Sequence, residues 1–229
     1  MRLCIIPARG GSKRIPRKNI KEFHGHPIIA YSINAAIASQ CFDKIIVSTD
    51  DQEIADISIK YGAEVPYLRE AELSNDSIHV LPVLKDGIEF FENKREFPKE
   101  VCCIFATAPF IRPDDIAKAY QQLRNLNLGY CFSATSFSSP IQRAFKINKG
   151  HRIKMFYPEF FNQHSQDLEE SFHDAGQFYW GKVDFFKQQR PIISEAASAF
   201  LLPRYLVQDI DTQEDWKRAE IMYKVLQED

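Results

Sequence analysis

The sequence predicts an α/β fold built on a mainly parallel sheet, and three observations support this prediction. Short apolar runs alternate with stretches of helical periodicity along the chain, which is the order of elements expected for βαβ units. The apolar runs are uninterrupted, as in strands that are buried on both faces. Several of the helical stretches begin with acidic residues or proline, which suit the N-terminus of a helix.

The first part of the chain carries two strand–helix pairs. LCIIP (3–7) is predicted as a buried strand, and residues 27–40 follow as a helix because their apolar side chains recur at helical spacing. KIIVST (44–49) is the second strand. The next helix, 50–61, has acids in its first turn and ends before Gly62.

The middle of the chain continues in the same order. Residues 63–68 are predicted as a short extended piece and 77–93 as a helix. VCCIFAT (101–107) is the most apolar strand. A helix over 113–125 begins with proline and two aspartates, and YCFSATS (130–136) follows as a strand.

Residues 137–175 interrupt this order. Residues 145–155 resemble a hairpin, and the following stretch mixes aromatic and polar residues without a clear period. We interpret 137–175 as an arm inserted into a single domain that spans 1–229.

Strand character then returns. GQFYWG (176–181) is predicted as a strand, and residues 200–211 add one or two more. Residues 212–227 form a closing amphipathic helix.

Composition restricts the class of protein. The chain has 229 residues, of which 45% are hydrophobic and 26% charged, and its formal net charge is −2, so no overall field attracts nucleic acid or anionic lipid. The five cysteines form no C-x-x-C pair and accompany no histidine cluster. With no apolar segment of membrane-spanning length and no signal-peptide pattern, the sequence predicts a reduced, cytoplasmic protein without membrane or nucleic-acid partners.

A basic loop follows the first predicted strand. Its positive residues are Arg9, Lys13, Arg14, Arg17 and Lys18. Gly10 and Gly11 would let backbone N–H groups approach a phosphate, and Ser12 would donate from its hydroxyl. The loop matches neither a Walker A motif nor G-x-G-x-x-G, and a solvated turn or a nuclear-import-like patch is the alternative. Its position at the carboxyl end of a buried strand favours a phosphate site.

An Asp-Ile-Asp sequence lies near the end of the chain. On an extended chain, the carboxylates of Asp209 and Asp211 point to one face, about 6–7 Å apart, a spacing that allows both to meet one Mg²⁺. Alternatively, Asp211 and Glu214 form a capping box at the start of the last helix.

The loop IPARGGSKRIPRKNI (6–20) resembles the signature loop of the nonulosonic acid cytidylyltransferases, the CMP-sialic acid synthetase family. The resemblance continues through residues 33–51, 68–76 and 209–215. These enzymes couple CTP to an acidic nine-carbon sugar and release pyrophosphate. The resemblance implies a Rossmann-like nucleotidyltransferase sheet (GT-A-like) flanked by helices, with a projecting dimerisation arm and a homodimer.

The resemblance also assigns residues to the nucleotide. It places Arg9, Ser12, Lys13 and Lys18 on the triphosphate, Asn19 on the nucleoside and Arg69 at the cytosine edge, with Mg²⁺ on Asp209 and Asp211. Arg9, Lys13 and Lys18 would act in catalysis together with the two aspartates. Asp76 and Ser77 match the family too. Without the family, Arg69 would be interpreted as a surface arginine paired with Glu70 or Glu72.

The sugar half of the chain departs from the sialic acid pattern. ATAPF (106–110) and HDAGQFYW (173–180) resemble the pseudaminic acid branch, which assigns Thr107, His173, Gln177 and Tyr179 to the substrate. Apolar groups of the sugar would contact aromatic rings, namely Phe110, Phe178, Tyr179 and Trp180. In the alternative, half of residues 177–180 simply pack in the core because they alternate along a strand. The arm near Arg143 and Lys146 would bring positive charge to the partner's sugar carboxylate.

The predicted function is therefore the transfer of CMP from CTP to a nonulosonic acid, with pseudaminic acid as the first candidate. N-acetylneuraminic and legionaminic acids are alternative substrates. A non-catalytic nucleotide-binding module on the same fold is an alternative of another class, and a nucleic-acid-binding protein that uses KRIPRK (13–18) is another. The net charge of −2 disfavours the last.

Overall fold

A six-stranded sheet forms the centre of the computed structural model, which describes residues 1–75 and 77–228. The strands are β1 (Arg2–Pro7), β2 (Glu22–Phe23), β3 (His26–Pro27), β4 (Lys44–Ser48), β5 (Glu100–Ile104), β6 (Tyr130–Ser136), β7 (Phe145–Ile147), β8 (Ile153–Met155), β9 (Phe172–Lys182) and β10 (Ala197–Leu201). The α-helices are α1 (Ile28–Ala38), α2 (Gln52–Lys60), α3 (Val80–Asn93), α4 (Pro113–Leu126), α5 (Val183–Lys187) and α6 (Gln213–Glu228).

The central sheet has the strand order β10-β6-β9-β5-β1-β4. Neighbouring strands are parallel except at β9, which runs antiparallel to both β5 and β6. The prediction of a mainly parallel sheet flanked by helices is confirmed. The carboxyl ends of the parallel strands meet at one edge, where ligands bind in open sheets of this kind.

Both faces of the sheet are buried, which explains the uninterrupted apolar strands. Along β1, Cys4 and Ile6 face one apolar cluster, and Leu3 and Ile5 face the other. All five cysteines are buried and free, and burial raises the pKa of the Cys103 thiol above its usual range.

Most predicted elements coincide with observed ones, and the differences are local. Residues 63–68 contribute only isolated bridges at Glu64 and Leu68. Within 200–211 the strand ends at Leu201, because Pro203 and a 3₁₀ turn at Arg204–Leu206 follow it. The small antiparallel pair β2–β3 and the short helix α5 were not predicted.

The predicted hairpin is present as β7 paired with β8. In its turn, the Asn148 side chain accepts hydrogen bonds from the N–H groups of Gly150 and Arg152. The predicted arm boundary extends too far, because Phe172–Asp174 already pair with β6. The segment outside the sheet is thus 137–171, and its apolar side chains, such as Ile147 and Ile153, are largely exposed. No helix in the described ranges is long and apolar enough to cross a bilayer.

Candidate active site

A cleft lies where the basic loop leaves the carboxyl end of β1. It consists of three adjoining cavities, which we name the first, middle and distal cavities. The first cavity, of about 300 Å³, contains most of the predicted nucleotide contacts, which are Arg9, Ser12, Lys13, Lys18, Asn19 and Arg69. The middle cavity, which Tyr179 lines, joins it to the distal cavity, which His173 lines. Asp211 borders all three cavities.

The two loop glycines do not line these cavities. The N–H of Gly10 donates to the Asp50 carboxylate at 2.9 Å, and a Cβ on Gly10 would lie 2.7 Å from a carboxylate oxygen of Asp51. Gly10 is therefore required for close packing against the Asp50–Asp51 segment, and its N–H does not extend toward a phosphate. A Cβ at Gly11 would meet no atom within 4 Å, so the fold does not explain this glycine by packing.

Arg17 anchors the loop and does not line the cleft. With φ at 55°, it directs its guanidinium to the carboxylates of Asp51 and Glu53 at the start of α2. Asp51 also caps α2 by accepting the N–H of Ile54. The hydrogen bond from Arg17, reinforced by this cap, lowers the pKa of the Asp51 carboxyl to about 2.

Arg17→Met is expected to lower the free energy of unfolding at pH 7 by about 1 kcal/mol, a value reduced for the solvent screening of this partly exposed pair. Because the folded pKa of Asp51 lies below its unfolded value of about 3.9, its stabilisation is present above that value and is lost as pH falls toward about 2. The difference between wild type and variant should therefore shrink over this range in urea titrations. Arg124→Met is the control, because the Arg124 guanidinium is exposed and lies 4.0 Å from the Glu100 carboxylate, and it should leave stability nearly unchanged. An equal loss in both variants would contradict the anchoring role.

Two other basic residues connect the loop to the end of the chain. Arg14 Nη2 lies 2.7 Å from an oxygen of Asp211. Lys18 Nζ donates to the carbonyl of Ile210 at 2.5 Å and lies 3.5 Å from Asp211. Asn19 Nδ2 donates to the carbonyl of Arg9, which fixes the loop internally. The fold thus brings the basic loop and the acidic pair, almost 200 residues apart, into direct contact.

Arg69 is a buried residue that lines the first cavity. Its side chain is only 5% exposed, so the interpretation as a surface arginine is wrong. Nε donates to Ser74 Oγ, and Nη1 donates to the carbonyl and hydroxyl of Ser48. Burial lowers the pKa of this guanidinium. Nη2 makes no hydrogen bond within the described residues, so the guanidinium retains donors for a ligand.

The acidic pair is arranged as its alternation predicts. Ile210 is fully buried, whereas Asp209 and Asp211 both line the middle and distal cavities. The capping-box interpretation of Asp211 is wrong by one residue. Thr212 Oγ1 accepts the N–H of Asp215, and the Asp215 carboxylate accepts the N–H of Thr212. Asp211 is therefore not needed as a helix cap.

The electrostatics of the pair favour a cation. Surrounding protein atoms and the charge of Asp211 raise the pKa of the Asp209 carboxyl, although water reaches it through the cleft. Within residues 1–75 and 77–228, no three His, Cys, Asp or Glu side chains are grouped so that they could hold a metal ion. Two carboxylates that line a cleft beside a basic loop fit Mg²⁺, which is commonly held by one or two carboxylates plus phosphates and water.

A bulge in β9 shapes the distal side of the cleft. Gly176 has φ of 63°, a conformation that favours glycine, and the hydroxyl of Ser133 accepts the N–H groups of Gln177 and Phe178. This irregularity brings His173 into the distal cavity and Tyr179 into the middle one. Thr107 lines both the first and the middle cavities.

Several residues assigned to the sugar are instead in the core. Gln177 is 3% exposed and donates to the carbonyl of Leu206, so it does not reach the cleft. Phe178 and Trp180 are fully buried in one apolar cluster, and Phe110 is buried against α6 in another. Of the four aromatic residues proposed for sugar contacts, Tyr179 is the one that lines the cleft.

The structure adds cleft residues that the sequence analysis did not select. Asp174 lines the middle and distal cavities, accepting the Tyr179 hydroxyl and, at 2.8 Å, the N–H of Gly176. His79 lines the first cavity. Asp174 lies inside the HDAGQFYW segment. A carboxylate within an otherwise apolar strand is the sequence feature that could have identified it. Asp76 lies outside the described residues.

A cleft at the carboxyl ends of parallel strands, with a basic loop held against Asp211, is typical of nucleotidyltransferases. A family model described as cytidylyltransferase matches residues 3–198. The chain belongs to this cytidylyltransferase family and is a CTP-dependent nucleotidyltransferase, as the resemblance implied.

Individual relatives extend over almost the whole chain. A pseudaminic acid cytidylyltransferase from Campylobacter jejuni is 44% identical over 97% of this chain and 96% of its own. A CMP-N,N'-diacetyllegionaminic acid synthase from Legionella pneumophila is 32% identical over 99% and 97%. The solved structure of a CMP:2-keto-3-deoxy-manno-octonic acid synthetase complexed with CTP has a TM-score of 0.73, covers 98% of this chain and 99% of that chain, and is 16% identical. The last match shows similarity of fold.

Proposed function

We propose that this chain transfers CMP from CTP to a nonulosonic acid, with pseudaminic acid as its substrate. The observation that carries the proposal is the continuous cleft, in which a basic cavity and a second polar cavity meet at Asp209 and Asp211. A nucleotide and an acceptor can therefore meet at the acidic pair. The choice of pseudaminic acid is supported by the 44% identical relative and by the segments ATAPF and HDAGQFYW.

The first cavity accommodates the nucleotide. Arg9, Lys13 and Lys18 would neutralise the triphosphate, and Ser12 would donate from its hydroxyl. Arg69, which lines the same cavity, would present Nη2 to the O2 and N3 acceptors of cytosine. Asn19 also lines this cavity and would contact the nucleoside.

Arg69→Lys is expected to raise KM for CTP on the order of ten- to a hundredfold, because lysine cannot keep the bonds to Ser48 and Ser74 while also reaching the base. The same substitution should reduce the preference of the enzyme for CTP over UTP. Both are measured by pyrophosphate release at saturating sugar. Arg95→Lys, at an exposed position after α3, should leave both unchanged. An unaltered CTP-to-UTP ratio in Arg69→Lys would contradict the base-reading role.

The reaction is an in-line displacement at the α-phosphorus. The sugar 2-hydroxyl attacks, the bond to the pyrophosphate oxygen breaks, and the hydroxyl proton is released. Arg9, Lys13 and Lys18 stabilise charge on the phosphates and on pyrophosphate as it leaves. Asp209 and Asp211 would hold Mg²⁺, which supplies further charge neutralisation at the phosphates. The protein's contribution is largely positioning and electrostatics.

The test is pyrophosphate release from CTP, with pseudaminic, N-acetylneuraminic, legionaminic and 2-keto-3-deoxy-manno-octonic acids offered in parallel. Release with pseudaminic acid alone is the expected result. Release with another acid would support the transferase activity but would mean that the distal cavity accepts a different sugar. CTP binding without release on any acid would favour the non-catalytic nucleotide-binding module.

We also propose a homodimer formed through the arm and a cytoplasmic, reducing location. The exposed apolar side chains on β7 and β8, such as Ile147 and Ile153, support the first proposal, and the five free, buried cysteines support the second. Light scattering should give twice the chain mass for the wild type and a smaller mass for Ile147→Asp with Ile153→Asp. An unchanged dimer in that variant would place the interface elsewhere.

A further inference from the structure

We propose that the carboxylate of Asp174 accepts the proton of the sugar hydroxyl as that hydroxyl attacks CTP, which makes Asp174 a catalytic residue. This inference rests on the proposed function and gives a role to a residue that the sequence analysis did not select. Asp174 lies on β9, next to the bulge, and lines both the middle and the distal cavities. It therefore lies at the boundary between the proposed places of the nucleotide and the sugar, where the reacting atoms have to meet.

The two other carboxylates of the middle cavity have charged partners. Asp211 faces the cations of Arg14 and Lys18, and in the proposed function it would hold Mg²⁺ together with Asp209. A carboxylate that neutralises a cation is a poor proton acceptor, because the opposite charge favours its ionised form. Asp174 is the third carboxylate of this cavity, and its hydrogen-bond donors are uncharged groups.

Two of these donors hold the Asp174 side chain in one orientation. Its Oδ2 accepts the Tyr179 hydroxyl, and its Oδ1 accepts the N–H of Gly176 at 2.8 Å. Gly176 is the residue of the bulge with φ of 63°, so the backbone of the bulge helps to place the carboxylate. Each ionised oxygen can accept a further hydrogen bond, which leaves Asp174 able to accept one from a ligand. A base fixed in this way is already oriented when the substrate binds.

Tyr179 supports Asp174 and is not itself the proton acceptor. Its one hydroxyl hydrogen is donated to Asp174. Burial, together with the negative charge of Asp174, holds the pKa of the Tyr179 hydroxyl above its usual range, so the hydroxyl keeps this hydrogen at neutral pH. The Tyr179 oxygen can still accept a hydrogen bond from another hydroxyl of the sugar.

The proposed step couples a proton transfer to the displacement at phosphorus. The O–H bond of the sugar 2-hydroxyl breaks, its proton moves to an oxygen of Asp174, and an electron pair of the sugar oxygen forms the bond to the α-phosphorus. The bond from phosphorus to the pyrophosphate oxygen breaks, and pyrophosphate leaves with that electron pair. Asp174 then releases the proton to solvent through the cleft, which restores the carboxylate.

The test compares wild type with Asp174→Asn, by pyrophosphate release at saturating CTP and sugar and by calorimetry of CTP binding. Asparagine has nearly the same size as aspartate but cannot take the proton. Asp174→Asn should therefore lower kcat by about a hundredfold and leave KM for CTP within twofold. Mg²⁺ should still strengthen CTP binding to this variant, which would distinguish the role of Asp174 from that of the proposed metal ligands.

Chemical rescue provides a readout that a purely structural role would not change. Formate, a small carboxylate, should raise kcat of Asp174→Ala by about tenfold or more, whereas sodium chloride at the same ionic strength should not. Asp184→Asn, at an exposed position just after the carboxyl end of β9, is the matched control and should behave as wild type.

A kcat for Asp174→Asn within threefold of wild type would overturn the assignment. Equal responses of Asp174→Ala to formate and chloride would also contradict it, because a carboxylate would then not be needed at this place. Loss of the Mg²⁺ effect on CTP binding in Asp174→Asn would assign the residue to the metal site instead. If wild type releases no pyrophosphate with any sugar acid, the proposed function fails and this inference with it. If wild type is active and Asp174→Asn is unaltered, only the inference fails.

Discussion

Asp209→Asn is expected to lower kcat by about a thousandfold, the largest effect that we predict for a single substitution. Asp209 lies in the cleft where Asp211 and the basic loop meet, and its carboxylate is neither a helix cap nor paired to Arg14. Asparagine has nearly the same size as aspartate but carries no charge. A lower kcat in this variant would therefore be due to the missing negative charge. The measurement is pyrophosphate release at saturating CTP and sugar across a Mg²⁺ titration.

A second readout separates metal binding from damage to the fold. Calorimetry should show that Mg²⁺ strengthens CTP binding to wild type and has little effect on Asp209→Asn. Asp56→Asn, which removes a carboxylate that accepts a hydrogen bond from Gln52 on the surface of α2, should match wild type in both assays. A kcat for Asp209→Asn within threefold of wild type would remove Asp209 from the mechanism.

Lys18→Met is expected to lower kcat/KM for CTP on the order of a hundredfold. Lys18 lines the first cavity, where the triphosphate would lie, and its ammonium group also donates to the carbonyl of Ile210. Methionine retains most of the apolar stem and removes both interactions. We therefore also expect a loss of about 1 kcal/mol in the free energy of unfolding, from the hydrogen bond to Ile210.

Lys21→Met is the matched control for Lys18, because Lys21 follows in the same part of the chain. Lys21 contacts Gln213 at 3.4 Å and lies over the ring of Trp216, outside the three cavities. Its substitution should leave kcat/KM for CTP within twofold. Equal losses in the two variants would mean that positive charge anywhere near α6 suffices and that Lys18 has no specific place on the triphosphate.

The loop after β1 contacts the segment before α6 directly. Arg14 and Lys18 approach Asp211, so negative charge on the aspartates is partly balanced before any ligand binds. A triphosphate entering the first cavity would compete with Asp211 for these cations. Releasing Asp211 from them would leave its carboxylate available to Mg²⁺.

The sequence by itself determined the layered α/β architecture and the chemical character of the cleft. Short uninterrupted apolar runs are typical of strands buried on both faces, and helical periodicity between them indicates crossover connections. The alternation in Asp-Ile-Asp was sufficient to place Ile210 inward and both aspartates outward, because neighbouring side chains on an extended segment point to opposite sides. The grouping of positive charge after β1 predicts a phosphate site, and the structure places Arg9, Lys13 and Lys18 around one cavity.

Only the tertiary structure decided which members of each group reach the cleft. Arg17 and Lys18 are adjacent in the sequence, yet one anchors α2 and the other lines the cavity. The antiparallel insertion of β9 and its bulge direct Asp174 and Tyr179 to the cleft and Gln177 to the core. The direction of each side chain depends on partners far away in the chain, as with Lys18 and Ile210, and local periodicity carries no record of those partners.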